Sequence, residues 1–260
     1  MPPPAEPAVQ DLVEAGVPVR LWTPAAWHAG SRLLAFSHGA NANARKYDEL
    51  SAALAFEGHA VAAVLHRDSP DHPAGSPPAQ QEAWAARLSD MRVALSLLAA
   101  RFPGRPMMAA GHSYGALVAQ ALAGARVEWG TDGGPVPEPR IARVLAFSPP
   151  GPLPGFVTAE GWAQLARPML VVTGTADVLP MIAPSWEAHR VSFDASRVSP
   201  RWLWVGDGVD HYFGNRIGRP ERPDDEGQAA LFGAAIATAI AFVEGRDPPD
   251  QPSGATLTVA

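Results

Sequence analysis

Apolar runs of strand length recur along this chain, and they are continuous rather than alternating. They fall at 33–37, 59–65, 106–110, 141–147, 169–173 and 202–205. An alternating strand keeps one face wet, whereas an unbroken apolar run is covered on both faces. Helical patterns separate the runs, at 49–56, 80–100 and 229–243. The second of these places Trp84, Leu88, Met91, Leu95 and Leu98 on one face. Strand and helix in alternation predict an α/β fold: a mostly parallel central sheet with helices on both faces. The 260 residues, 47% of them hydrophobic, suffice for one sizeable core. A short first strand is expected at 17–22, and residues 15–245 are expected to form a single domain. Residues 1–14 read as a flexible leader and 246–260 as a loose tail, in which 256–259 could add an edge strand.

In an open parallel sheet, ligands bind beyond the carboxyl ends of the strands. Several classes of ligand are disfavoured at once. The formal net charge is −6 and no basic run exists, so nucleic acid is not an expected partner. The absence of cysteine excludes disulfides, thiolate metal sites and cysteine nucleophiles. No dinucleotide or P-loop fingerprint occurs, and His66-Arg67-Asp68 and Asp71-His72 lack metal-ligand spacing. Neither a cofactor nor a metal is therefore expected. The longest apolar stretch, 229–243, is shorter than the ~20 residues that span a bilayer and reads as a packing helix. The first seven residues lack the basic start and apolar stretch of an export signal. As written the chain reads as cytoplasmic, with a removed signal left open; its oligomeric state is not legible.

The run at 106–110 leads directly into Gly111-His112-Ser113-Tyr114-Gly115, and small residues follow at helical spacing, Ala116, Ala119 and Ala123. Strand, tight turn and helix in that order expose a serine at the top of a sheet. Glycines two positions either side of Ser113 remove the side chains that would collide in such a turn. A serine hydroxyl becomes an effective nucleophile only when a base takes its proton, and the base needs a carboxylate to fix its tautomer. Asp177 follows the run that begins at Met169, and His211 follows the run at 202–205, through a loop loosened by Gly206 and Gly208. Ser, Asp, His is the chain order expected with this turn. Asp194, Asp207 and Asp210 rival Asp177 for the carboxylate, but none follows a buried strand so directly. His28, His59, His72 and His189 read as structural or solvent-facing.

Acyl transfer also needs two fixed donors for the oxyanion. One is the backbone N–H of Tyr114, after the serine; the other should come from the loop Ser37-His38-Gly39-Ala40-Asn41. Ala40 is the preferred donor and Asn41 the alternative.

These features resemble the α/β-hydrolases over about residues 15–245. Leu34-Ala35-Phe36-Ser37-His38-Gly39, the segment Gly58-His59-Ala60-Val61, the serine turn and Asp210-His211-Tyr212-Phe213 are similar to the dienelactone-hydrolase-like branch, with its platelet-activating-factor-acetylhydrolase-like and cutinase-like esterases. The resemblance implies hydrolysis of carboxylic esters, with Ser113 as nucleophile, Asp177 as acid, His211 as base, and Ala40 and Tyr114 as oxyanion donors. Dienelactone hydrolases proper use a cysteine nucleophile, which this chain lacks, and so depart from it.

Apolar residues crowd the loops at that edge, and Phe156, Trp162 and Leu179, with Asn41, His112 and Tyr212, are the candidate substrate-binding residues. The expected partner is a small to medium hydrophobic or aryl ester. A thioester, lactone or polyester would use the same apparatus, and a non-catalytic binding protein could keep the fold.

Overall fold

The computed structural model describes residues 5–75, 77–128, 137–180, 182–218, 223 and 225–260. In chain order the elements are β1 (Ala8–Glu14), β2 (Val17–Thr23), β3 (Leu33–Ser37), α1 (Asp48–Phe56), β4 (Ala60–Val64), α2 (Gln80–Arg101), β5 (Met107–His112), α3 (Tyr114–Leu122), β6 (Ile141–Phe147), α4 (Ala159–Trp162), β7 (Met169–Ala176), α5 (Glu187–Ala195), β8 (Arg201–Asp210), α6 (Ala229–Glu244) and β9 (Ala255–Val259). They build one nine-stranded sheet in the order β1-β2-β4-β3-β5-β6-β7-β8-β9. The six strands from β4 to β8 run parallel, while β1, β2 and β9 pair antiparallel at the two edges.

The unbroken apolar runs are explained by two cores, one on each face. Leu33 and Ala35 of β3 face α2 and α3, whereas Leu34 and Phe36 face α1 and α6. The same period of two divides Ala62 from Ala63 and Val171 from Val172. Alanines at 62, 63, 109 and 110 keep the central strands slim, so the helices on both faces pack close to the backbone. The apolar face expected on α2 is buried at Trp84, Leu88, Met91, Leu95 and Leu98. With the turn before it, α6 spans 19 residues at a mean hydropathy of 1.5, long and apolar enough by composition to cross a membrane. Its Phe232, Ala235, Ala239 and Phe242 are seated in the core instead.

Two expectations are corrected. Residues 8–14 are not a leader: they form β1, paired with β2 from Ala8↔Thr23 to Glu14↔Val17. The hairpin turns through Ala15 at φ 47° and Gly16 at φ 82°, the pair of positive angles that suits the twist of a two-residue turn. Its exposed strand is held by backbone hydrogen bonds and by Arg20 on Asp11, so no apolar run announces it. Nor is the tail loose throughout. β9 pairs with β8 from Trp202↔Val259 to Gly206↔Ala255, and Gln251 accepts the indole N–H of Trp204 at 2.8 Å.

Candidate active site

The sheet places every catalytic and oxyanion candidate at one edge. Ser113 follows β5, the Ala40 loop follows the neighbouring β3, Asp177 follows β7 and His211 follows β8. At Ser113 the backbone holds φ 54° and ψ −122°, a region that costs on the order of 1–3 kcal/mol for a residue with a side chain. The surrounding structure over-determines the turn. A Cβ on Gly111 would fall inside the carbonyl of Gly115, and one on Gly115 would fall inside the carbonyl of Ser37. The turn therefore lies pressed against the end of β3, and α3 starts at the next residue, with its N-terminus toward the edge.

The loop after β3 is held from below. Arg87 of α2 is fully buried and donates to the carbonyls of His38 at 2.6 Å and Gly39 at 3.3 Å. Its Nε meets both carboxylate oxygens of Asp68, and its guanidinium lies 4.7 Å from the ring centre of Tyr114. The hydroxyl of Tyr47 accepts the Gly39 N–H at 2.9 Å and donates to His112 Nδ1 at 2.9 Å. Among the described residues, neither the Ala40 amide nor the Tyr114 amide donates to a protein acceptor. Two unused donors thus stand beside Ser113, as an oxyanion site requires.

Asp177 and His211 meet directly. His211 Nδ1 donates to Asp177 Oδ1 at 2.7 Å, and Thr173 donates its hydroxyl to Oδ2 at 2.7 Å. Burial alone would raise the Asp177 pKa; contacts from His189 and then His211 outweigh it and hold the carboxyl well below the ordinary carboxylate range. The rival aspartates are occupied elsewhere: Asp194 with Arg190, Asp207 with Thr175, and Asp210 with the amides of Tyr212 and Gly214. Among the described residues no hydrogen bond joins Ser113 Oγ to His211. Such contacts commonly tighten only once a substrate is bound.

A cleft of about 450 Å³ opens over Ser113, between Ala40, Asn41 and Tyr114 on one side and Pro150, Leu153, Phe156 and Ile182 on the other. Two small loops form the second wall, each closed by its own backbone bridge, Leu153↔Val157 and Leu179↔Ala183. Phe156 packs edge-on to Trp84 at 5.1 Å and near Tyr114 at 6.1 Å.

Four of the candidate substrate contacts are corrected. Trp162 is fully buried in the core beneath α3, where its indole N–H donates to Gln120 Oε1 at 2.9 Å. His112 is buried too, its Nδ1 on Tyr47 and its Nε2 donating to the carbonyl of His211 at 2.9 Å. Burial pushes its pKa down to about 3, so the ring is a neutral strut. Leu179 is outside the cleft lining, its backbone bridged to Ala183, and Ile182 from the same loop lines the cleft instead. Tyr212 stands edge-on to the His211 ring at 5.0 Å, outside the cleft lining. His189 is the residue that sequence reasoning missed. It is fully buried on α5, and its Nε2 lies 2.8 Å from Asp177 Oδ1.

Among the described residues, two side-chain groups are close enough to share a metal ion, His28/His59/Glu244 and Asp177/His189/His211. In the first, His59 Nδ1 accepts the Arg32 amide, which leaves a proton on Nε2; His28 accepts the Gly30 amide and presents Nε2 to the Glu57 carbonyl. Protonated ring nitrogens cannot ligate, so only Glu244 remains. The second is the hydrogen-bonded centre just described.

Residues 30–132 match the family model of the S33 serine aminopeptidases. That span holds the Ala40 loop and Ser113, and neither Asp177 nor His211. The solved structure of TT1662 from Thermus thermophilus is similar over 93% of this chain and 98% of that one, at 20% identity and a TM-score of 0.64. No curated protein matches the sequence. The chain has the α/β-hydrolase fold. The family match supports a serine hydrolase of that fold in general.

Proposed function

We propose that this protein is a serine esterase that cleaves hydrophobic carboxylic esters through an acyl-enzyme. The reading is carried by one observation: the Asp177–His211 pair and the strained Ser113 turn share an edge with two unused backbone amides. His211 Nε2 takes the Ser113 proton as Oγ attacks the ester carbonyl. The Tyr114 and Ala40 amides receive the negative charge that develops, a contribution worth roughly 10²–10³ in kcat per donor. Collapse breaks the ester bond and His211 returns the proton to the leaving alcohol. Water, activated by the same imidazole, then releases the acid.

The cleft favours an apolar acyl or aryl group over a peptide N-terminus. Its volume lies in the range of small-molecule sites. Asp68, the acidic residue among the described lining residues, already pairs with Arg87 and is not free to receive an amine.

A fluorophosphonate that labels active serines tests the mechanism, and a panel of p-nitrophenyl esters with one amino-acyl p-nitroanilide tests the substrate class. Labelling of the wild type, none of folded Ser113→Ala, and ester turnover above anilide turnover are expected. Labelling that survives Ser113→Ala would refute the nucleophile; preference for the anilide would replace the ester reading with a peptidase.

A further inference from the structure

We propose that His189 is a positioning residue of this site, a second imidazole held as an imidazolium that shares the Asp177 carboxylate with His211. The proposal deepens the serine-hydrolase reading and rests on it. His189 Nδ1 lies 2.7 Å from the carbonyl oxygen of Pro149, which can only accept, so Nδ1 carries a proton. Nε2 lies 2.8 Å from Asp177 Oδ1, with both side chains at 0% exposure. On a neutral ring, Nε2 would set an unprotonated nitrogen against an anionic oxygen, at a distance that admits nothing between them. A proton on Nε2 converts that repulsion into an ion pair. The contact is bent, since Nε2 has no aligned hydrogen-bond acceptor, so attraction between charges carries it rather than a straight bond. The straight bond to the same oxygen belongs to His211.

The neighbourhood leaves His189 as the positive charge closest to Asp177. His211 comes from the end of β8, its ring 5.5 Å from that of His189, and His112 stands 4.8 Å behind it as a neutral ring. Tyr212 faces His211. On α5 itself Arg190 pairs with Asp194, and Glu187 is exposed. Glu160 on α4 is exposed, and Arg201 of β8 lies over Phe193.

A catalytic carboxylate already balanced by one cation holds a second less strongly. His211 therefore stays unprotonated, and available as a base, to lower pH than a lone Asp177 would allow. Replacing His189 with a neutral side chain returns the full pull of Asp177 to His211, and the base is lost at higher pH.

The test uses fluorophosphonate labelling of Ser113 as a function of pH, in wild type and His189→Gln, together with nitrogen-15 NMR of the wild-type imidazoles. The acid limb of the labelling rate is expected to move up by roughly one pH unit in the variant. The NMR is expected to find both ring nitrogens of His189 protonated wherever labelling proceeds. A folded variant that labels normally with the wild-type acid limb overturns the role of His189 and leaves the nucleophile standing. A single ring proton on wild-type His189 overturns it as well, even if the variant fails to fold. Wild-type protein that never labels overturns both readings.

Discussion

His112 Nε2 donates to the backbone carbonyl of His211 at 2.9 Å. The residue before the proposed nucleophile thus grips the main chain of the proposed base. The grip continues on the other side of the ring, where Nδ1 accepts from Tyr47 and Tyr47 accepts from Gly39. Three parts of the edge that come from β3, β5 and β8 are joined by buried side chains in series. Gly39 has no side chain because a Cβ would crowd the His112 ring and the Tyr47 hydroxyl.

Tyr47→Phe cuts that series in the middle. It leaves the Gly39 N–H and His112 Nδ1 buried without a partner, at a cost of about 1–3 kcal/mol for each group. The melting temperature is expected to fall, and kcat for a p-nitrophenyl ester to fall with it as the Ala40 loop loosens, while KM changes little. Steady-state kinetics on folded variant check this; an unchanged kcat would detach Tyr47 from the proposed oxyanion loop.

Phe156→Leu and Trp162→Phe separate the cleft wall from the core. Phe156 lines the cleft, so its replacement is expected to shift the ratio of kcat/KM for butyrate over acetate esters by roughly tenfold. Trp162 is sealed behind α3 and bonded to Gln120, so Trp162→Phe is expected to cost about 1–3 kcal/mol of stability with that ratio unmoved. Denaturant midpoints and the two-ester ratio measure both.

Buried neutral histidines set the response to acid. Burial pushes His112 down to about 3 and His59 to about 4, and holds His38 and His66 well below the ordinary value near 6.5. Below pH 6.5 the unfolded chain binds protons at these rings that the folded chain refuses. Their stabilisation is full above that pH and is lost as the pH falls, by up to about 1.4 kcal/mol per unit for each ring. Asp90 works the other way: raised to about 6 by burial, it keeps a proton in the folded state between roughly pH 6 and 4 that the unfolded carboxylate has released. It offsets one histidine of the four. The melting temperature is expected to drop steadily from pH 7 to pH 5; a flat profile would mean that these rings charge without unfolding.

What was legible in the sequence was whatever side chains alone determine. The runs at 33–37 and 141–147 are strands to the residue, because residues covered on both faces of a sheet are nearly all apolar, Arg143 at the half-buried start of the second being an exception. Ser113 stood out because its turn admits only glycine at positions 111 and 115. β1 was illegible, and β9 showed only as an optional edge strand at 256–259, because backbone pairing holds both with their side chains largely in solvent. Trp162 looked like a pocket residue because it follows a strand by way of a proline-rich loop, and the four residues of α4 turn it inward to Gln120. His189 carries no spacing signal at all. A nine-residue helix brings it to Asp177, and only tertiary packing decides which of that helix's faces is inward.

Leu153↔Val157 and Leu179↔Ala183 close the two loops of the cleft's far wall on themselves, away from the strands that hold the proposed triad. For anyone wishing to redirect this protein, that separation marks where to randomise. Diversity confined to positions 154–156 and 182 would re-cut the mould for the proposed acyl chain and spare the residues proposed to act on it.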